Sequence, residues 1–321
     1  MRILILGGHG FIGSHTSNLL KEKGHTIGVV DCYHQYFTFP DQEYFSILKL
    51  RKDHANNDKT FIGKIEDESF MSRVFEEFKP DIVMHLATYP NAKMVARNVA
   101  DATTNMVTAT ASILNLCVKS NVKRIVFASS SMAYGEFNGG IPDENVMCNP
   151  NTLYGSYKHQ GERMCQIWKR EHGLEYVIMR PSALYGTRDM VTRVISQMTK
   201  SALTRNQITV QGPENRLDFS NVTDVADAFA RAATIDVAAN EIFNCTRGYG
   251  RTILEAAELV RDTLGKGEIQ TKPHDPFYPN RDTLNSDKIK KLLGWKPTVD
   301  IEQGIPEYVE WFLQQKCYNE K

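Results

Sequence analysis

Ile3-Leu4-Ile5-Leu6-Gly7-Gly8-His9-Gly10-Phe11-Ile12-Gly13 is an unbroken apolar run that stops at a glycine-rich turn. A continuous Ile/Leu run reads as a strand buried on both faces. Glycines at 7, 10 and 13 form G-x-x-G-x-x-G at the point where that strand should give way to a helix. Such a turn lets the backbone approach a diphosphate, and the helix behind it presents free N–H groups and partial positive charge. The next apolar run, Thr26–Val30, ends at Asp31, 18 residues past Gly13. A carboxylate there accepts hydrogen bonds from adenosine ribose hydroxyls and repels a 2′-phosphate, so the expected cofactor is NAD rather than NADP. His9, inside the turn, is expected to point to solvent.

Further apolar runs lie at Ile82–Leu86, Arg124–Ala128, Tyr176–Met179 and Glu241–Asn244. Helical patterns fall between the runs, at Ser14–Lys23, Phe70–Glu77, Ala102–Lys119 and Ser156–His172. That alternation predicts an α/β fold with a doubly wound parallel sheet of Rossmann type. The pattern changes after Arg180-Pro181, where loops alternate with helical stretches near Thr192–Leu203 and Val225–Thr234 and around Leu293-Gly294-Trp295. The expected organisation is a dinucleotide-binding domain over 1–181 with a returning segment at about 221–262. A smaller, discontinuous substrate lobe then takes 182–220 and 263–321, with a cleft between the two.

Composition excludes several function classes. Lys+Arg and Asp+Glu are 38 each, so the net charge of zero offers no field for nucleic acid or an acidic membrane. Six cysteines show no C-x-x-C spacing and nine scattered histidines no ligand pairing, so no metal site is expected. No apolar run approaches membrane-spanning length, and the expectation is a soluble, cytoplasmic protein.

Two stretches carry chemistry. Tyr154-Gly155-Ser156-Tyr157-Lys158 places Tyr154 and Lys158 one turn apart on a helix face. A free phenol titrates near 10, but a neighbouring ammonium and a positive nicotinamide favour the phenolate, so Tyr154 is the candidate base. Ser129-Ser130-Ser131 ends the predicted fourth strand, at the carboxyl edge where open parallel sheets bind ligands.

Taken together these blocks resemble the extended short-chain dehydrogenase/reductases, the nucleotide-sugar epimerase/dehydratase family. Gly7–Gly13, Asp31, His85-Leu86-Ala87, Asn105, Ser129–Gly135, Tyr154 with Lys158, Arg180-Pro181, Val222 with Asp224-Val225, and Leu293-Gly294-Trp295-Lys296-Pro297 follow the family order over nearly the whole chain. The resemblance implies Ser130, Tyr154 and Lys158 as catalytic residues. It implies NAD held by Gly7, Gly10, Phe11, Ile12, Gly13, Asp31, Ile65, Leu86, Ala87, Asn105, Tyr154, Lys158 and Pro181. It also implies a nucleoside-diphosphate sugar as substrate and a homodimer, with Ala102–Lys119 and Ser156–His172 pairing through small residues such as Ala109, Ala111 and Ser112.

Departures from the family pattern narrow the choice. Ser131 and Met132 stand where dehydratases carry an acidic residue, and a thioether transfers no proton. Lys64 replaces the Asp that holds adenine, leaving Ile65 or Glu66 for that contact. Ala183 and Leu217 replace Asn and Arg of the sugar-diphosphate site, so Ser131, Met132, Arg188, Arg193, Arg216 and Arg281 are the candidate substrate ligands. The reading is an NAD-dependent epimerase acting at C4 through a transient 4-keto sugar. A net C4 dehydrogenase or reductase of an unusual hexose or heptose is the alternative, and a non-catalytic NAD sensor has no use for the serine, tyrosine and lysine together.

Overall fold

The computed structural model describes residues 1–36, 40–189 and 193–315. Phe37–Phe39 of the aromatic stretch after Asp31, Thr192 at the start of an expected helix, and residues 316–321 of the expected substrate lobe lie outside them. Strand β1 (Arg2–Leu6) leads through the glycine turn into α1 (Phe11–Glu22), then β2 (Thr26–Asp31), α2 (Asp41–Ala55), β3 (Lys59–Ile62), α3 (Glu68–Phe78) and β4 (Ile82–His85). The chain continues with α4 (Ala92–Arg97), α5 (Val99–Thr103), a π turn (Thr104–Thr108), α6 (Ala109–Lys119), β5 (Arg124–Ala128), α7 (Leu153–His172) and β6 (Glu175–Arg180). Beyond these lie β7 (Ala183–Tyr185), α8 (Val194–Arg205), β8 (Gln207–Gln211), β9 (Arg216–Leu217), β10 (Phe219–Asn221), α9 (Val222–Thr234) and β11 (Glu241–Asn244). The last elements are β12 (Arg251–Thr252), α10 (Ile253–Leu264), β13 (Glu268–Lys272), α11 (Asp287–Leu293) and α12 (Ile301–Leu313).

Seven strands form one parallel sheet in the order β11-β6-β5-β4-β1-β2-β3, with Ile5 beside Val29 on one side and Met84 on the other. The order reverses between β1 and β4, and such a reversal opens a crevice at the carboxyl ends of the strands. The inner strands carry apolar runs because both of their faces are covered. Ile3, Ile5, Val29, Met84, Val126 and Met179 face α1 and α9. Leu4, Leu6, Val30, Val83, Phe127 and Ile178 face α3, α6 and α7.

The sequence pattern finds six of these strands and misses β3. Lys59-Thr60-Phe61-Ile62 is an edge strand with an exposed face, so it presents no apolar run. Helix α2 also went without a signal, although it buries Tyr44, Ile47, Arg51 and Ala55 along one stripe. Ser129 therefore follows the fifth strand, not the fourth. The expected helix over 102–119 is interrupted by the π turn, which carries Asn105. Ala109 of that segment is buried in the chain's own core, so it is not available to a second copy, while Ala111 and Ser112 are half-buried.

The smaller lobe has its own core of Tyr185, Ile195, Met198, Ile208, Val210, Ala256, Val260, Ile301 and Ile305. Helix α10 packs on α8 and α12 there. Conversely, Ile289, Leu293 and Trp295 pack into the core beneath the large sheet. Asp224 in α9 explains why the Val222–Val225 block and the Leu293–Pro297 block belong together. Its carboxylate accepts hydrogen bonds from Thr298 N (2.9 Å), Thr298 Oγ1 (2.8 Å) and Val299 N (3.0 Å), and its carbonyl accepts from Trp295 Nε1 (2.9 Å). Asp224→Ala leaves the Trp295 bond to the backbone but strands Thr298 N, Thr298 Oγ1 and Val299 N, and should cost about 2–4 kcal/mol, read as a lower denaturant midpoint. An unchanged midpoint would show that the junction is not held there.

Candidate active site

The glycine turn forms one wall of a cavity of about 300 Å³ at the carboxyl edge of the sheet. A Cβ on Gly13 would lie 2.4 Å from Gly7 O and 2.8 Å from Gly8 Cα, both rigid backbone, so α1 can start this close to β1 only with glycine. Every residue expected at the cofactor lines this cavity, including Ile65, Leu86, Ala87, Asn105 and Pro181. Glu66 lines it too, and Lys64 does not; Asn105 Nδ2 donates to Glu66 Oε1 at 2.9 Å. Asp31 accepts from His9 N (3.1 Å) and Tyr33 N (3.0 Å). Burial pushes the Asp31 carboxyl up, and the Tyr33 amide and His9 pull it back. Cys32–Tyr36 line the same cavity, so the described part of the aromatic stretch faces the site and does not merely cover the sheet edge.

His9 does not point to solvent. It is 2% exposed and bridges Tyr33 Oη (Nδ1, 3.1 Å) and Asn57 Oδ1 (Nε2, 3.0 Å), drawn in by the polar rim beyond the turn.

A second cavity, of about 930 Å³, opens between the lobes, and Ser130, Tyr154 and Arg193 line both cavities. Tyr154 stands in the first turn of α7, whose N-cap Thr152 accepts from Gly155 N at 3.1 Å. A Cβ on Gly155 would lie 2.3 Å from Met132 O, so glycine is what lets this helix end approach the Ser130–Met132 turn. Ser130 Oγ accepts from Met132 N at 3.2 Å. Lys158, 3% exposed, donates to Ala128 O at 2.6 Å and stands 5.8 Å from the centre of the Tyr154 ring.

The electrostatics differ from the expectation that the lysine lowers the phenol. Burial pushes Tyr154 up, while Arg193, the Ser130 hydroxyl and Arg281, in that order, favour the phenolate. Burial brings Lys158 down to about 7, with Glu162 pulling it up. The arginines of the smaller lobe thus do for the phenol what the lysine was expected to do.

The substrate candidates divide. Met132, Arg193, Arg216 and Arg281 line the larger cavity. Ser131 is wholly buried behind it, accepting from Arg281 Nη1 at 2.9 Å and donating to Ser182 Oγ at 3.3 Å. Arg188 borders neither cavity. A positive φ of 67° turns the chain there, its carbonyl accepts from Arg51 Nε (2.8 Å), and its charge acts on His15 and His54. Lys93, Arg97, Lys200 and Arg205 line the larger cavity without having been anticipated, as does Arg51 the smaller one. They sit on helices outside any motif, and only the i,i+4 spacing of Lys93 and Arg97 hints at a shared face.

The model of the "NAD dependent epimerase/dehydratase family" matches residues 3–246. This chain belongs to that family. It is an enzyme of the extended short-chain dehydrogenase/reductase type, with NAD as its cofactor. It is 32% identical over 320 residues to a putative UDP-glucose 4-epimerase of Methanocaldococcus jannaschii, covering 96% of this chain and 97% of that one. It is 27% identical over 328 residues to the dTDP-D-glucose 4,6-dehydratase of Mus musculus, covering 97% of this chain and 88% of that one. Among solved structures, the Thermotoga maritima UDP-glucose 4-epimerase with UDP-glucose superposes with a TM-score of 0.87 at 30% identity, covering 98% of this chain and 99% of that one. The Thermus thermophilus UDP-glucose 4-epimerase in complex with NAD gives 0.86 at 26% identity, again over 98% and 99%.

Gly13→Ala pushes a methyl group into the backbone of the turn. It should cut the NAD released from purified, acid-precipitated protein by more than about tenfold; full loading would remove the turn from the cofactor site. A pH effect follows from the buried His15 and His85 and the half-buried His54. Burial brings His15, His54 and His85 down to about 3, 4 and 3, helped by His54, Arg188 and Lys158 respectively. Below the ordinary value of 6.5 the unfolded chain takes up protons that the folded chain refuses, so stability is full above 6.5 and falls toward pH 4. Urea midpoints should drop between pH 7 and pH 4.5, and less steeply in His15→Gln/His54→Gln.

Proposed function

We propose that this protein is an NAD-dependent epimerase of a nucleoside-diphosphate sugar, acting at C4. One observation carries the reading. Ser130 and Tyr154 stand where the two cavities meet, and among the described residues the larger cavity has a single carboxylate, Asp275, held by Lys93 at 2.7 Å. Elimination of water needs an acid or base beside the sugar in addition to the tyrosine, and Met132 occupies that part of the wall. That lining supports a reaction at one carbinol centre over a dehydration.

Bound NAD supplies the uptake and return of a hydride. Gly7, Gly10 and Gly13, the N-terminus of α1 and Asp31 would hold its dinucleotide, with Lys158 on the nicotinamide ribose. Tyr154 takes the proton of the C4 hydroxyl and later returns it. Ser130 hydrogen-bonds the same oxygen and orients it. Arg193 and Arg281 stabilise the phenolate at the moment it forms, and with Arg216 they bind the diphosphate through guanidinium forks. The similarity to UDP-glucose 4-epimerases supports this reaction class. Within the same reading the working unit is a homodimer through α6 and α7, which sedimentation at micromolar concentration tests.

Purified protein should interconvert C4 epimers of a nucleoside-diphosphate sugar with no added cofactor. Tyr154→Phe should lower the rate by about 10²–10⁴-fold while NAD stays bound. A loss below about tenfold would remove Tyr154 as the base. Steady accumulation of NADH with the sugar nucleotide would replace epimerisation by net C4 oxidation.

A further inference from the structure

One buried group near the site has no part in the chemistry above. Glu162 is 1% exposed and lies four residues after Lys158 on α7. Its carboxylate takes Arg180 Nε at 2.8 Å and Arg180 Nη2 at 2.6 Å, a bidentate pair with both side chains out of water. Ser129 Oγ donates to the same carboxylate. Arg180 in turn lies over the Tyr134 ring, 4.6 Å from its centre.

These contacts join the three elements that carry the site. Ser129 is the residue between Ala128, whose carbonyl takes the Lys158 ammonium, and Ser130. Arg180 ends β6 immediately before Pro181. Tyr154 and Lys158 share α7 with Glu162. We propose that Glu162 is a positioning residue: its carboxylate, fixed by Arg180 and Ser129 one helical turn from Lys158, favours the lysine's charged form and its aim at Ala128 O beside Tyr154. This rests on Tyr154 and Lys158 being the reacting pair.

A buried ammonium with one carbonyl acceptor loses its proton readily unless an opposite charge stands near. Facing Lys158 are Tyr154 on its own helix, Phe127 and the Ala128 carbonyl on β5, and His85 on β4, whose burial keeps it neutral. None of these offers a negative charge at neutral pH. Glu162 alone acts to raise Lys158. Around Glu162 itself stand Arg180 on β6, His159 and Cys165 on α7, and Cys148 from the preceding loop. Burial works against the Glu162 charge, but Arg180, His159 and Ser129 hold the carboxyl below its ordinary value, so it is an anion wherever the enzyme is folded near neutrality.

The experiment reads the lysine proton itself, without any sugar nucleotide, so its outcome is separate from that of the epimerase reading. Protein labelled with ¹⁵N-lysine is titrated as purified, and the Lys158 Nζ signal is identified by its loss in Lys158→Met. In Glu162→Gln the midpoint should fall by about one to two pH units. That is the size expected for one opposite charge removed a helical turn away at an effective dielectric of about 20. Glu162→Asp keeps the charge and should leave the midpoint within about half a unit. If the glutamine variant does not fold, the aspartate variant decides alone. A midpoint in Glu162→Gln within about 0.3 unit of the unsubstituted protein, or a fall of more than about one unit in Glu162→Asp, overturns the proposal.

Discussion

An ammonium held out of water at the carboxyl edge of a parallel sheet is the constraint around which this site is arranged. Lys158 is stripped of solvent, and it donates to the carbonyl of Ala128, the last residue of β5. There the chain turns away into Ser129–Ser131, and the turn stays close because Gly155 allows α7 to abut it. The strand end, the serine turn and the helix start are therefore fixed relative to one another by contacts that no one of them makes alone. Precision of this kind comes from rigid elements meeting at their termini, where side chains leave a helix or strand with few torsions to spare.

Topology decides where this happens. The sheet reverses direction between β1 and β4, which opens the crevice that the glycine turn floors. The strands on the other side, β4, β5 and β6, deliver His85, Ser129 and Arg180 at successive carboxyl ends. The smaller lobe then closes over the result. It is tied back to the sheet at several points, among them Asp224 to the loop after Trp295 and Asn244 Nδ2 to Asn285 O at 2.9 Å.

Much of this was legible in the chain because the relevant signals are local. The run Ile3–Leu6 with its three glycines, Asp31 at the end of the next strand, and the Tyr154–Lys158 spacing each depend on a few consecutive residues. What escaped depends on distant partners. The edge strand Lys59–Ile62 has no apolar run because only one neighbour covers it. His9 reads as exposed until Tyr33 and Asn57 are seen to enclose it. Arg188 follows the same Arg-rich loop as Arg193, yet a left-handed residue sends it to the histidines behind the crevice. Charge balance at Tyr154 is the clearest case. Helical spacing suggests the lysine as the group that acts on the phenol, whereas the fold brings Arg193 and Arg281 from chain segments far along the sequence.

That last point changes how the smaller lobe should be viewed. Arg193 pairs with the buried Asp189 at 2.8 Å, lies 4.8 Å from the centre of the Phe11 ring beside the glycine turn, and borders both cavities. Arg281 reaches across to Ser131 from a loop near the end of the chain. Burial favours the neutral phenol and the neutral amine alike, so both groups are poised by the charges around them. Arg193 and Arg281 favour the phenolate from outside α7, and Glu162, one turn further along the same helix, favours the ammonium. Under the proposed function, the lobe that would seat the sugar nucleotide is thereby part of the electrostatics of proton transfer. A change in how that lobe seats over the sheet alters the base and the substrate pocket together.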